Sequence, residues 1–97
     1  MAESIASFNK KLTKMKKEFQ KEFLRRVADK TPVRTGLLQA SWYWDNSNKD
    51  LPVFSNKQPY AQYVEFGTEH MRPVMMVGTT IKEADDILKI AAEKAGL

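Results

Sequence analysis

The sequence predicts an α+β fold, with a long amino-terminal helix, a small antiparallel sheet, a short middle helix and a carboxy-terminal helix. Three observations support it: helical periodicity from Ile5 to Val27, an aromatic alternation from Gln39 to Trp44, and a second helical periodicity from Ile81 to Ala95. The 97 residues predict one domain, in which a basic amphipathic helix over 1–30 precedes an α/β body over 31–97.

The first helix carries a single apolar stripe. Its members recur at steps of three or four residues: Ile5, Phe8, Leu12, Met15, Phe19, Phe23 and Val27. We expect the helix to run from about Ser4 to about Asp29, because Pro32 disfavours helical backbone in the residue before it. Its length of roughly 39 Å exceeds the roughly 33 Å diameter of a globule of this size. Part of the stripe is therefore expected to contact a partner chain.

A β-hairpin is predicted after a turn over 31–38. In QASWYW, residues 39–44, Ala40, Trp42 and Trp44 share one face of a strand. A polar turn over 45–50 leads to a returning strand, LPVFS, over 51–55. Pro52 cannot donate to a sheet ladder, which places this second strand at an edge or delays its start.

The remaining elements alternate between helix and strand. Pro59 suits a helix start, residues 60–66 give about two turns, and Gly67 is a natural left-handed residue after the last turn. Such a short helix is unstable alone, so we expect it to dock on the body through Tyr60, Tyr63 and Val64. A third strand is predicted over 72–77. Thr80 with Glu83 matches a capping box for the last helix.

The residue types that enzymes need are scarce. The chain has no cysteine and one histidine, His70, which removes most nucleophilic and zinc-binding constellations. The four glycines are scattered and form no phosphate-binding loop. Glu65 and Glu69 lie on either side of Gly67 and need not share a face, and an acidic residue of this kind is more often solvated than catalytic. We therefore predict a non-enzyme with no catalytic residue, no cofactor and no metal site.

The net charge of +4 is unevenly placed, which suggests a second class of function. Residues 1–30 hold nine Lys or Arg against four acids, whereas residues 31–97 hold seven against eight. A basic band lies away from the apolar stripe and includes Lys10, Lys11, Lys14, Lys17, Lys21 and Arg25. It could contact phosphates, so a small nucleic-acid-binding protein is the alternative function. A solvated helix face would look the same.

Neither membrane insertion nor export is predicted. No apolar run approaches the roughly 20 residues of a membrane span, so no membrane partner is expected. The amino-terminal stretch lacks the apolar middle of a secretory signal, which favours synthesis in the cytoplasm without export.

Three ordered segments carry a family resemblance. TPVRTGLLQASW, residues 31–42, precedes SNKQPYAQYVEFGT, residues 55–68, and MRPVMM, residues 71–76, follows. Together they resemble the gene-product-ten-like tail-component or neck family of tailed bacteriophages. Its pattern is of the type T-P-V-D-T-G-x-L-x-x-S, then N-x-x-P-Y-A-x-Y-V-E-F-G-T, then an R-P segment before a last helix. Arg34 stands where that family usually has Asp.

The resemblance implies a structural role at the head–tail junction of a phage or prophage, as a neck, tail-completion or tail-terminator subunit. It implies a small α/β subunit that assembles as a homo-oligomeric ring around the DNA passage, with six copies as the expected number. The implied partners are further copies, connector and tail-tube proteins, and DNA in a non-specific contact. The implied location is the virion, after synthesis in the bacterial host cytoplasm.

The motif match also identifies structural residues. These are Thr35, Gly36, Leu38, Ser41, Tyr60, Ala61, Tyr63, Val64, Glu65, Phe66, Gly67 and Thr68. Among them, Glu65 and Thr68 are expected to make polar contacts to a turn or a neighbour. The loop over 45–50 is expected to contact other junction proteins.

Surplus apolar area points independently to self-association. Candidate interface residues are Trp42, Trp44, Phe8, Leu12, Met15 and Phe19, because a small sheet does not readily hide two indoles together with a continuous stripe. Closed rings use head-to-tail interfaces. The alternative is a monomer, in which the first helix folds along the sheet and hides both tryptophans.

Overall fold

One long helix, α1 (Ile5–Lys30), forms the frame on which the other elements pack. The computed structural model describes residues 4–32, 36–48, 50–69 and 72–97. Along the chain the remaining elements are α2 (Leu37–Ala40), β1 (Trp42–Asp45), β2 (Val53–Asn56), α3 (Ala61–Phe66), α4 (Met76–Ile81) and α5 (Ala84–Ala95). This order confirms the predicted α+β class.

Local signals fix both ends of α1. At its start, the Ser4 Oγ accepts a hydrogen bond of 3.1 Å from the Ser7 backbone N–H, which satisfies one of the unpaired donors of the first turn. At its end, Thr31 adopts extended backbone before Pro32, as the steric demand of proline requires. The helix ends at Lys30, one residue beyond the predicted Asp29.

The predicted hairpin is present, but its strands begin later than predicted. β1 and β2 pair antiparallel, with Trp42 opposite Asn56 in the register. Gln39, predicted to lie in the first strand, belongs instead to α2. The Gln39 Nε2 donates a hydrogen bond of 2.9 Å to the Ala28 carbonyl oxygen, which ties the turn to α1. Pro52 directly precedes β2, where a missing N–H removes no ladder bond.

The prediction of a third strand over 72–77 is wrong. The Val74 and Met75 backbone N–H groups donate to the carbonyl oxygens of Val64, at 2.9 Å, and Glu65, at 3.1 Å. Carbonyls in the last turn of a helix have no partner within it, so this segment completes α3 instead of entering the sheet. Met75 adopts the left-handed conformation, with φ 54° and ψ 48°, and α4 begins at Met76.

The predicted capping box at Thr80 and Glu83 is also wrong. Thr80 lies within α4, and its buried hydroxyl donates to the Met76 carbonyl oxygen at 2.7 Å. The Glu83 carboxylate is held by Arg26 and Lys30 of α1 instead. The helical periodicity that begins at Ile81 is therefore divided between two helices. α5 does end before Gly96, which has the positive φ of 81° expected of a terminating glycine.

The hydrophobic core lies between α1, the hairpin and α4–α5. Half-buried Phe54 packs against it and joins its aromatic residues, with ring centroids 5.0 Å from those of Phe23 and Trp44 and 5.2 Å from that of Trp42. Such edge-on and stacked aromatic contacts add to the stabilisation from burial alone. Fully buried aliphatic residues complete the core: Val27, Met76 and Ile87.

The molecule is elongated, measuring 59 × 26 × 20 Å along its principal axes. α5 runs antiparallel to α1, since Asp86 at its start pairs with Arg26 at 2.8 Å and its end comes beside Lys11. Residues 4–10 consequently extend past the end of α5, and α3 and α4 lie toward the opposite end of the chain.

Candidate assembly surfaces

The amino-terminal half of α1 exposes much of its apolar stripe. Ile5 is 80% exposed and Phe8 is 44% exposed, because α5 stops short of them. Leu12, Met15 and Phe19 are half-buried. We call these five residues the amino-terminal surface, which is apolar and most exposed at Ile5 and Phe8.

An open groove continues this surface toward the hairpin. It is lined by Met15, Lys16, Phe19, Gln20, Trp44, Asp50, Pro52 and Leu88. Leu88, on α5, remains 45% exposed at its wall. Solvent therefore reaches the inner part of the stripe, at Met15 and Phe19, as well as its projecting end, at Ile5 and Phe8.

Both tryptophans are held within the chain. Trp42 is 9% exposed, and its Nε1 donates a hydrogen bond of 2.8 Å to the buried hydroxyl of Thr31. The Trp44 Nε1 donates to the Gln20 carbonyl oxygen at 2.9 Å. The helix therefore packs along the sheet and covers Trp42, whereas Trp44 is half-buried and lines the open groove. Among the predicted interface residues, Trp44 and those of the stripe therefore remain at least partly accessible, and Trp42 does not.

The docking face of α3 differs from the predicted one. Ala61 and Glu65 are buried and Val64 is half-buried, so a narrow face brings the helix close to its neighbours. Tyr63 is 51% exposed and Phe66 is 73% exposed, so these aromatic rings point outward. The prediction that Tyr60 and Tyr63 dock this helix is wrong.

A second apolar groove lies beside Phe66. Its walls are Trp42, Phe54, Ser55, Asn56, Ala61, Gln62, Glu65, Phe66, Val77, Gly78 and Ile81. Ile81 is 58% exposed. We call Tyr63, Phe66, Ile81 and this groove the aromatic surface. The sequence did not mark it as a contact region, although Ala61 and Glu65 stand four residues apart and hence share one helix face.

Glu65 connects α3 to α4. Its carboxylate accepts hydrogen bonds from the backbone N–H groups of Val77, at 2.8 Å, and Gly78, at 2.9 Å. These donors belong to the first turn of α4, where backbone N–H groups have no helical partner and a negative charge is favoured. Glu65 therefore caps a helix, and this role accounts for a glutamate residue that is only 7% exposed.

The two sequence motifs meet at Ser41 and Gln58. The Ser41 hydroxyl donates to the Leu37 carbonyl oxygen at 2.6 Å and accepts from the Gln58 Nε2 at 3.1 Å. Leu38 beside it is buried, and its carbonyl oxygen accepts from the Asn56 Nδ2 at 3.0 Å. These contacts fix the turn before β1 against the end of β2. Arg34 and Thr35 lie outside the described residues.

Gly67 ends α3 in a conformation other than the predicted left-handed cap. Its φ is 77° but its ψ is 177°, a region that essentially only glycine occupies. Its N–H still donates to the Tyr63 carbonyl oxygen at 2.8 Å, so the cap hydrogen bond forms. Thr68 is exposed in an isolated bridge.

An ionic cluster joins the carboxyl end of α1 to α5. Arg26 lies 2.8 Å from both Glu83 and Asp86, and Lys30 pairs with Glu83. Hydrogen bonds from Lys30 and Arg26 lower the pKa of Glu83 below its ordinary value of 4.5. Likewise, the hydrogen bond from Arg25 lowers the pKa of Glu22.

The described residues contain no arrangement that would bind a metal ion through three or more His, Cys, Asp or Glu side chains. None of the helices in the described part of the chain is both long and apolar enough to cross a membrane. His70 lies outside the described residues.

Comparison with known proteins gives a family match. The model for the family "Bacteriophage HK97-gp10, putative tail-component" matches residues 3–67. That range contains α1, the hairpin and α3. Neither a curated protein nor a solved structure matches the chain.

Proposed function

The chain belongs to the HK97-gp10-like family of bacteriophage tail components, and we propose that it is a structural subunit of the phage head–tail junction. In this role it is a neck, tail-completion or tail-terminator protein of a phage or prophage. Its copies assemble as a ring around the DNA passage and catalyse no reaction. The family match supports a phage structural role, and the geometry of the two surfaces supports assembly.

The observation that carries the proposal is the position of the two apolar surfaces. Ile5 and Phe8 project from one end of a 59 Å chain, and the aromatic surface forms a groove toward the other end. A projecting ridge and a groove on different parts of one chain fit a head-to-tail contact, in which each copy uses both surfaces. Such contacts close into a ring when the rotation between neighbours permits it.

The two surfaces give the contact its chemistry. Apolar side chains at the amino-terminal surface are water-covered in the single chain, and burying them releases roughly 25 cal/mol for each Å². The walls of the aromatic groove include Trp42, Phe54 and Val77, which already belong to or pack on the core. A neighbour seated there would extend the core of one copy into the next.

Light scattering coupled to size-exclusion chromatography tests the assembly. The wild-type protein is expected to form a species of about six times the 11.2 kDa chain mass, alone or on addition of connector or tail-tube proteins. Ile5→Ser with Phe8→Ser should abolish that species and leave the helical circular dichroism unchanged. Tyr43→Ser, a comparably exposed aromatic outside both surfaces, is the matched control.

Mixing two variants tests the head-to-tail geometry. Ile5→Ser with Phe8→Ser removes one surface, and Phe66→Ser with Ile81→Ser weakens the other. Each variant alone should remain monomeric, whereas an equimolar mixture should form heterodimers, because the pair retains a single intact contact. A ring that survives both double substitutions would rule out these surfaces as the interface.

A further inference from the structure

Four lysines of α1 lie opposite its apolar stripe. Lys10, Lys14, Lys17 and Lys21 recur at steps of four, three and four residues, and all four are exposed. At 100° for each residue they form one line along the helix. We call them the lysine line. It lies roughly 160° around the helix axis from the residues of the amino-terminal surface.

The charges of this line are not neutralised within the described part of the chain. None of the four lysines pairs with a described carboxylate, whereas Arg25, Arg26 and Lys30 farther along the helix all do. The two acids adjacent to the line in sequence have other partners: Glu18 pairs with Lys94 at 3.9 Å and Glu22 pairs with Arg25 at 2.6 Å. The line therefore presents four positive charges over about 16 Å of helix.

We propose that the lysine line contacts the phosphates of duplex DNA, as the DNA-facing side of the subunit. This inference rests on the proposed ring, in which burial of the stripe between copies turns the opposite face of α1 away from the interface. Steps of about 4.5 to 6 Å between successive lysines bring each charge near a different phosphate, since duplex DNA presents one phosphate charge for roughly each 1.7 Å of its axis. The contact reads charge and not sequence.

Two other anionic partners fit the surface less well. A bilayer would take up the apolar stripe, but Leu12, Met15 and Phe19 are already partly covered within the chain. Met15 and Phe19 line the groove beside Leu88. An acidic protein would need carboxylates repeated along the whole line. Duplex DNA supplies such a row of charges wherever it is met.

The salt dependence of DNA binding measures the contact. Fluorescence anisotropy of a labelled 30-base-pair duplex of mixed sequence, over a series of NaCl concentrations, should give a slope of log K against log[NaCl] near −3.6 for four phosphate contacts. Lys14→Gln should reduce the slope by about 0.9. The quadruple variant Lys10→Gln, Lys14→Gln, Lys17→Gln and Lys21→Gln should reduce it nearly to zero.

A charge-matched control isolates the line from the net charge. Lys57→Gln, Lys82→Gln, Lys89→Gln and Lys94→Gln remove the same charge from exposed positions elsewhere, and this variant should keep most of the slope. If both quadruple variants lose the slope equally, net charge alone governs binding and the proposal is overturned. Preferential binding to phosphatidylglycerol vesicles or polyglutamate, with the same lysine dependence, would also overturn it.

Light scattering on the same variants separates this proposal from the assembly. Loss of the salt slope in a line variant that still assembles supports the DNA contact as distinct from the ring. An unchanged slope in an assembled line variant overturns the DNA contact and leaves the ring intact. A wild-type protein that never assembles contradicts the ring, whatever its DNA binding.

Discussion

The Glu65 carboxylate accepts a hydrogen bond of 2.8 Å from the backbone N–H of Val77, which fastens the end of α3 to the first turn of α4. The bond spans twelve residues of sequence and connects one of the recognised family motifs to a segment beyond the matched range. It also stabilises the start of α4 at Met76. Met75, just before it, has a left-handed backbone conformation that is unfavourable for residues other than glycine.

Loss of the Glu65 carboxylate should destabilise the protein. Glu65→Ala leaves two N–H groups of α4 without their acceptor, and we expect a loss of about 1–3 kcal/mol in the free energy of unfolding. Glu65→Gln retains one acceptor oxygen and should cost about 1 kcal/mol, from the lost charge at the helix start. Urea unfolding measures both. Glu69→Ala, at an exposed turn, is the control, and an equal loss there would contradict the capping role.

Replacement of Gly67 should strain the backbone. A side chain at φ 77° and ψ 177° is sterically unfavourable, so we expect Gly67→Val to cost about 1–3 kcal/mol of unfolding free energy. Thermal unfolding with a van't Hoff analysis provides the measurement. Gln62→Val, on the exposed side of the same helix, places valine where the backbone tolerates it. Indistinguishable melting of the two variants would refute the strain.

The hydroxyl of Thr31 should matter more than its size. It accepts from the Trp42 Nε1 at 2.8 Å and donates to the Val27 carbonyl oxygen at 2.8 Å, in a site where Thr31 is 2% exposed. Thr31→Val keeps the volume but orphans the buried indole N–H, which should cost about 1–3 kcal/mol. Thr31→Ser keeps the hydroxyl and should cost less, as judged by urea unfolding. The reverse order would show that packing dominates at this site.

The ionic cluster should make stability depend on acid pH. Because the pKa of Glu83 is lowered in the folded protein, its contribution is complete above the ordinary value of 4.5 and is lost as pH falls below that value through the folded pKa. Glu83→Gln removes this contribution, so the variant should lose less stability than the wild type between about pH 5 and about pH 3. Differential scanning calorimetry across that pH range measures the difference. An equal loss of stability in the variant and the wild type would exclude a contribution of Glu83 to the pH dependence.

The long-period features of the fold follow from the sequence, and the short ones do not. Seven apolar residues at helical spacing define α1. A pattern with a period other than that of a helix would not keep seven residues on one face. α3 has two turns, over which the face containing Tyr60 and Tyr63 and the face containing Ala61 and Glu65 are equally regular. Burial of a glutamate is also unexpected from composition, since such residues are rarely buried without partners.

The failed third strand has a non-local cause. The apolar run over 72–77 has the residue types of a strand, but the carbonyls at the end of α3 and the Glu65 carboxylate take up its N–H groups. No residue within that run indicates that these groups will be its hydrogen-bond partners. The exposure of the candidate interface residues was predictable only in part for the same reason. The stripe of α1 is a local pattern, whereas the burial of Trp42 involves partners distant in sequence, such as the hydroxyl of Thr31, eleven residues earlier.

Because α1 is one unbroken helix, any insertion within it rotates its two halves relative to each other by about 100° for each residue. Inserting a single alanine before Lys16 would twist Lys10 and Lys14 by about 100° relative to Lys17 and Lys21 and leave the packing of Phe23 untouched. Inserting seven residues would misalign the two halves by only about 20° while moving them roughly 10 Å apart. Insertions of seven, eleven or eighteen helix-forming residues, which keep the two halves within about 20° of their original phase, should therefore be tolerated better than insertions of one, two or five.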